Sequence, residues 1–175
     1  MKKLIFISLL LSILSLSVSA QKPTKAEKAA QLEQEFQQTR QLIESNHFQF
    51  ELNRVYPQDG QDLSRFNPRG KFVITDSVAK GTLPFFGRAY SLPYGEGGGI
   101  EFDGVMKDQS LKIEHKKKRK ILIYRFSITA KNDTYQISME ISGGGNCSVN
   151  LNSNNRAQIS YSGTVSPVKD ETGKS

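Results

Sequence analysis

The spacing of hydrophobic and polar residues changes near His47. Before that position apolar residues recur every three or four residues, and after it they alternate with polar ones. The first spacing predicts an amphipathic helix, and the second predicts β-strands with one face exposed to water. We therefore expect one helix followed by a β-rich domain.

The helix is predicted to run from Lys25 to about Glu44, within a helical segment at residues 21–46. Thr24 and Glu27 have the spacing of a capping box, in which each side chain bonds the backbone N–H of the other residue. A narrow apolar stripe is formed by Ala29, Leu32, Phe36, Thr39 and Ile43. A membrane-surface helix would carry bulkier apolar residues and more cations, so we expect the helix to pack on its own domain.

The later segments each have one apolar face and one small, polar face. The apolar positions are Phe48, Phe50 and Leu52, then Phe72 and Ile74, then Tyr135, Ile137, Met139 and Ile141, then Cys147, Val149 and Leu151, and finally Ile159, Tyr161 and Val165. This pattern is typical of antiparallel strands, and short connections rich in Gly, Asn and Ser are typical of hairpins.

About eight short strands predict a mainly β fold, either an antiparallel β-sandwich or a partly open barrel. A long open sheet would twist and leave unpaired edges, and the helix is expected to cover one opening or edge. We place this single β domain at residues 47–166 and a flexible tail at 167–175. The only cysteine, Cys147, excludes an internal disulfide.

The first twenty residues have the features of a cleaved secretory signal. Lys2 and Lys3 precede an apolar run that ends near Leu16, and small residues follow up to Ala20. This order predicts cleavage after Ala20 and a periplasmic or secreted protein with no transmembrane segment in the mature chain. No cysteine stands at the cleavage point, so we do not expect a lipoprotein. The formal net charge is +7, and the signal contributes two of those charges, so the mature chain at +5 is expected to be only mildly basic.

Residues 83–99, LPFFGRAYSLPYGEGGG, combine aromatic rings, one arginine and several glycines. An arginine between aromatic rings can stack on them and bind an acidic group through its planar fork. In this interpretation Arg88 anchors a ligand, Tyr90 and Tyr94 are its platforms, and Phe86 is a further candidate for ligand binding. The glycines at 95–99 lack the Gly-Lys-Ser/Thr ending of a phosphate-binding loop and predict only a mobile loop.

A structural interpretation of the same arginine stays open. Arg88 would then pair with a buried carboxylate, such as Glu101 or Asp103, and fasten its segment to the sheet. The two carboxylates are two residues apart on a predicted strand, and therefore on one face. This spacing also suits the paired acids of a glycosidase, which makes a glycan-acting hydrolase the alternative function.

The basic run from His115 to Lys120 follows one apolar strand and precedes another. It could contact nucleic acid, anionic lipid or acidic polysaccharide, or it could be a solvated hairpin tip that protects its strands from aggregation. Nucleic-acid modules add a broader basic face with stacking aromatics, so we favour the tip and expect no nucleic-acid partner.

The reactive side chains predict neither catalysis nor a metal. Cys147 falls on the apolar face of its strand, where a thiol is buried and inert. His47 and His115 have no second ligand at metal spacing, so we expect no metal and no cofactor. Asp76-Ser77-Val78 resembles the short acceptor motif of protein O-glycosylation in some Gram-negative periplasms, which makes Ser77 a candidate modification site.

Residues 83–90, LPFFGRAY, resemble the Leu-Pro-Tyr-Phe-Gly-Arg-Ala-Tyr signature of a secreted bacterial family known as domain of unknown function 4251. The GGIEF run at 98–102, and Asn155-Arg156 followed by ISYSG at 159–163, resemble the same family. Phe85 stands where the family more usually has tyrosine. The resemblance spans nearly the whole mature chain and implies one secreted domain, with no established activity.

These features predict a secreted or periplasmic, non-catalytic domain that binds a ligand near residues 85–94. The expected partner is an envelope glycan, an anionic metabolite or an envelope protein. One alternative is a glycan hydrolase that uses Glu101 and Asp103. Another is a structural envelope protein without a small ligand, whose partner contacts the basic hairpin at 116–120.

Overall fold

The computed structural model describes residues 24–58, 60–63, 66–90, 98–116, 119–130 and 133–169. The chain divides into two compact units, residues 1–31 and 32–175. Of the first unit, the described part is the start of a helix. The second unit contains the rest of that helix and every strand. The predicted signal at 1–20 lies outside the described residues.

Helix α1 spans Lys25–Glu44, as the sequence predicts. Its capping box is confirmed, because the Thr24 N–H donates to Glu27 Oε2 at 2.7 Å and the Glu27 N–H donates to Thr24 Oγ1 at 3.2 Å. After the helix, Asn46 adopts a left-handed conformation with a φ of 49° and turns the chain into the first strand.

Only part of the predicted apolar stripe is buried. Phe36, Thr39 and Ile43 are buried, and Phe36 and Ile43 belong to the core of the second unit. Leu32 is 64% exposed, so within this unit the buried face of the helix begins at Phe36.

Eight strands follow the helix, and each pairs antiparallel with its neighbours in sequence. They are β1 His47–Pro57, β2 Lys71–Thr75, β3 Val78–Leu83, β4 Ile100–Lys116, β5 Arg119–Thr129, β6 Thr134–Ser142, β7 Asn146–Ser153 and β8 Ile159–Pro167. The mainly β fold with one helix and eight antiparallel strands is confirmed.

The sheet closes on itself, which differs from the predicted sandwich or partly open barrel. β8 returns to pair with β1, from Phe48 opposite Pro167 to Pro57 opposite Ile159. The result is a closed barrel in the order β1 to β8. Closure gives hydrogen-bond partners to the backbone groups of β1 and β8, which would otherwise be edge strands. A closed barrel and a sandwich have the same alternation of apolar and polar residues, so the sequence pattern cannot distinguish them.

The barrel interior is a packed core of alternating apolar side chains. A chain of aromatic rings crosses it, with centroid separations of 5.0 Å for Phe50–Phe72, 5.9 Å for Phe72–Phe102 and 6.3 Å for Phe102–Tyr135. Gly163 lies in the wall beside this chain, where a Cβ atom would collide with the Phe50 ring and with the Glu51 carbonyl. The wall therefore requires glycine there to accommodate the ring.

From Leu32 onward, α1 packs at the barrel end that contains the β6–β7 turn. The backbone of Phe36 lies against Gly143 in that turn.

A polar contact lies near the start of β1. The Tyr124 hydroxyl lies 3.0 Å from both Asn46 Oδ1, just after the helix, and Gln109 Oε1 on β4. In the described part of the chain, no helix is long and apolar enough to span a bilayer.

The variant Tyr124→Phe tests whether the Tyr124 hydroxyl is buried and hydrogen-bonded. The measured quantity is the free energy of unfolding as a function of pH. Burial raises the pKa of Tyr124 to about 12, whereas a free phenol titrates near pH 10, so the unfolded chain loses this proton first. The stability that this difference contributes is complete below about pH 10 and is lost as the pH rises toward 12. Urea unfolding should find the variant roughly 1 kcal/mol less stable at pH 7 because a hydrogen bond is lost. The difference in unfolding free energy between the parent and Tyr124→Phe should narrow above about pH 10. A difference that stays constant across this range would contradict a buried Tyr124 hydroxyl with a raised pKa.

Candidate ligand site at one end of the barrel

The segment 84–90 crosses the barrel end opposite α1, where β3 ends and β8 begins. Its backbone is fastened to the turn between β7 and β8 by a β-bridge between Ala89 and Arg156. The Tyr90 N–H donates to the Asn155 carbonyl at 2.8 Å, and the Ala157 N–H donates to the Arg88 carbonyl at 2.9 Å. These bonds hold the segment without using any of its own side chains.

A further bond fastens the start of the segment from inside the barrel. The buried Tyr161 hydroxyl donates to the Pro84 carbonyl at 2.9 Å. Burial raises the pKa of Tyr161, and the nearby positive charge of Arg156 opposes that rise. The phenol is therefore protonated at neutral pH and remains a hydrogen-bond donor.

Three of the four predicted ligand residues lie on this fastened segment, and all three are exposed. Phe86 is 38% exposed, Tyr90 is 61% exposed, and Arg88 is also exposed. The preceding residue, Phe85, is partly buried and packs against the core. Tyr94, the fourth, and residues 95–97 of the glycine-rich loop lie outside the described residues.

The proposed pairing of Arg88 with a buried carboxylate is wrong. Arg88 is exposed, and its side chain has no hydrogen-bond or ion partner within the described ranges. Glu101 and Asp103 are themselves exposed on the outer face of β4. Asp103 lies 2.7 Å from Lys80 Nζ, and this hydrogen bond raises the pKa of the lysine.

The arginine that fastens this end of the barrel is Arg156, which no local sequence pattern singles out. It is 5% exposed, and its guanidinium carbon lies 5.2 Å from the centroid of the Phe85 ring. Nη1 donates to the Gly98 carbonyl at 3.4 Å. Nε lies 3.8 Å from Asp133 Oδ2 and has no hydrogen-bond partner among the residues described. An arginine stacked on a ring beside a buried carboxylate fastens several connections together.

The carboxylate of Asp133 is anchored independently of Arg156. It accepts a hydrogen bond from Ser153 Oγ at 2.6 Å and another from the Thr134 N–H at 2.8 Å. The turns before β6 and after β7 are thereby joined beneath the segment 84–90. The sequence signal for Arg156 is weak, since it is one cation in a turn of Ser and Asn residues, and only the family resemblance draws attention to it.

The basic hairpin is partly neutralised by acids of the same unit. Lys116 Nζ lies 2.7 Å from Glu140, and Lys120 Nζ lies 2.9 Å from Glu33 of the helix. Residues 117–118 lie outside the described residues. These ion pairs favour the interpretation of the run as a solvated hairpin tip.

The remaining candidates occupy separate places. Cys147 is buried in the core, and burial raises the pKa of its thiol, which keeps it protonated. His47 begins β1 and His115 lies near the end of β4, and no three His, Cys, Asp or Glu side chains form a metal-binding group in the part of the chain that is described. Ser77 is exposed at the tip of the β2–β3 hairpin, after Asp76 with a φ of 54°.

The fold and the fastened segment define a small antiparallel β-barrel domain with a helix at one end and an aromatic segment at the other. The sequence model described as "Domain of unknown function (DUF4251)" matches residues 30–165, so the chain belongs to that family, and the predicted resemblance is confirmed. The crystal structure of a DUF4251 family protein from Bacteroides eggerthii DSM 20697 is similar. It has 22% sequence identity and a TM-score of 0.55, and the match covers 79% of this chain and 91% of that one. This likeness shows the fold. No curated protein matches the chain.

Two single alanine variants should distinguish the structural role of Arg156 from the exposed position of Arg88. Arg156→Ala leaves the buried Asp133 without its cation, which should cost roughly 3 kcal/mol. For a domain of this size, that loss lowers Tm by roughly 6 to 12 °C. Arg88→Ala changes an exposed side chain and should alter stability by no more than about 0.5 kcal/mol. Thermal unfolding followed by circular dichroism measures both, and an equal fall for the two variants would contradict the assignment.

Modification of Ser77 has a direct test. Intact mass spectrometry of the protein isolated from its native source should show an added glycan, because the acceptor motif lies on an exposed turn. Ser77→Ala should remove the added mass. An unmodified mass for the native protein would rule the site out.

Proposed function

We propose that this protein is a secreted or periplasmic, non-catalytic binding domain, and that the segment 84–90 contacts its ligand. The observation that carries the proposal is the exposure of Phe86 and Tyr90 on a backbone that is already fastened in place. Aromatic side chains are enriched at interaction sites, and a preformed backbone reduces the entropy lost on binding.

The side chains favour a particular ligand chemistry. Arg88 offers a planar fork of donors with no competing protein partner within the described ranges, and the rings beside it offer flat apolar faces. A sugar acid combines a carboxylate for the fork with a C–H face that packs on an aromatic ring. An anionic envelope glycan is therefore the ligand class that we propose.

No observation favours the hydrolase alternative. A glycosidase needs two carboxylates that flank a bound sugar, and one of them must keep its proton. Glu101 and Asp103 lie instead on the exposed outer wall, and Asp103 is paired with Lys80. Binding is therefore the function that the segment supports best.

Ligand-dependent melting tests the proposal. Acidic oligosaccharides such as oligogalacturonides should raise the Tm of the parent, whereas neutral oligosaccharides of equal length should not. At a ligand concentration one hundred times the Kd, the gain is about 2.7 kcal/mol, or roughly 5 to 10 °C. Arg88→Ala should abolish this shift, and Tyr90→Ala should reduce it.

Two control variants make the result specific. Arg40→Ala removes a positive charge from the exposed Arg40–Glu44 pair of α1, far from the segment, and should keep the full shift. Arg88→Lys keeps the charge but loses the fork, so it should keep only part of the shift. The proposal fails if no acidic glycan stabilises the parent, or if Arg88→Ala is stabilised as much as the parent.

A further inference from the structure

Strand β4 is much longer than the strand on one side of it. β3 pairs with β4 only from Ile100 to Val105, whereas the pairing with β5 continues from Met106 to Lys116. The Met106 N–H donates to the Ser77 carbonyl at 2.7 Å, where β3 begins. Beyond that point, no strand in the described part of the chain pairs with the other side of β4. Within the described residues, β4 therefore has an unpaired stretch on its β3 side, which we call the β4 edge and define as residues 110–116.

The β4 edge has few of the features that normally block strand addition. Its one irregularity lies before it, where the register shifts between Lys107 and Ser110 and Asp108 has a φ of 52°. From Ser110 to Lys116 the pairing with β5 is regular, and the sequence contains no proline. Ile113 is 41% exposed in the middle of the edge. A regular edge with an exposed β-branched residue is a template for another strand.

Lysines can also protect an edge, but the charges here are balanced. Lys116 is already paired with Glu140 on its own barrel. Lys112 and Glu114 are both exposed and two residues apart, and neither has an ion partner within the described ranges. Among the described residues, the unpaired charges at the centre of the edge are therefore one positive and one negative, and they lie on the same face.

This order of charges is complementary to itself, and we propose that the β4 edge binds the β4 edge of a second copy of this chain. In an antiparallel pair with its two-fold axis at Ile113, the two Ile113 side chains lie opposite each other. Lys112 of each copy then lies opposite Glu114 of the other, so two cross-strand ion pairs form. Centring the pair on Lys112 would place two lysines opposite each other, which is unfavourable.

The arrangement also keeps the basic tips apart. The two hairpins run in opposite directions, so their tips lie at opposite ends of the shared pair of strands. Lys116 and Lys120 are neutralised within each copy, which reduces the remaining repulsion. One short pair of strands buries little surface, so the dimer should be weak, with a Kd on the order of 1 to 100 μM. This inference does not depend on the ligand proposed for the segment 84–90.

Sedimentation equilibrium from about 1 μM to several hundred micromolar tests the pairing. The parent should change reversibly from monomer to dimer with concentration. Lys112→Glu or Glu114→Lys alone should each raise the Kd about tenfold or more, because two attractive pairs become repulsive. The double variant Lys112→Glu/Glu114→Lys restores opposite charges and should return the Kd to near the parent value.

Arg69→Glu makes the same charge change at an exposed position before β2, at the other end of the barrel, and should leave the dimer unchanged. Circular dichroism and thermal melting establish that each variant is folded. The proposal is overturned if the parent stays monomeric at every concentration, if the Kd of the double variant is no lower than that of the single ones, or if Arg69→Glu weakens the dimer equally.

Discussion

The pairing of β8 with β1 is the contact on which the rest of the barrel depends. It joins strands that are more than one hundred residues apart in the sequence and brings Gly163 opposite Leu52. The register shifts between Leu52 and Arg54, and such a bulge increases the local bend of a strand. Without closure, the aromatic rings that cross the interior would face water. The absence of a side chain at Gly163 is what leaves room for the Phe50 ring beside this seam.

Closure also produces two barrel ends with different coverings. At one end the described part of α1 beyond Leu32 supplies Phe36 and Ile43 to the core. At the other end the segment 84–90 covers the barrel, and its Tyr90 N–H and Arg88 carbonyl are hydrogen-bonded to the turn between β7 and β8. A helix buries its side chains on one stripe, whereas a covering connection leaves some of its side chains facing outward. This difference explains why the exposed aromatic residues occur at the second end.

The sequence predicts local features of this fold well and non-local ones poorly. The capping box at Thr24 and the alternation from Phe48 to Val165 are local patterns, and both are confirmed. Sandwich and barrel share that alternation, so the choice between them depends on a β1–β8 register that no local pattern encodes. The arginines illustrate the same limit. Arg88 and Arg156 are each one cation near a turn, and their difference in burial arises from tertiary packing, because Arg156 lies buried beside Phe85 whereas Arg88 is exposed.

The dependence of the segment 84–90 on the β7–β8 turn has a consequence for how the protein matures. The segment leaves the translation machinery, and by our prediction the export channel, well before residues 155–157. Its hydrogen-bond partners arrive only with the turn that leads into the last strand. Folds with many contacts between residues distant in sequence form slowly, because the chain loses the entropy of closing a long loop before the stabilising contacts are made. The framework that holds the segment 84–90 is thus complete only when the β7–β8 turn has formed, and a chain that stops before β8 would lack it.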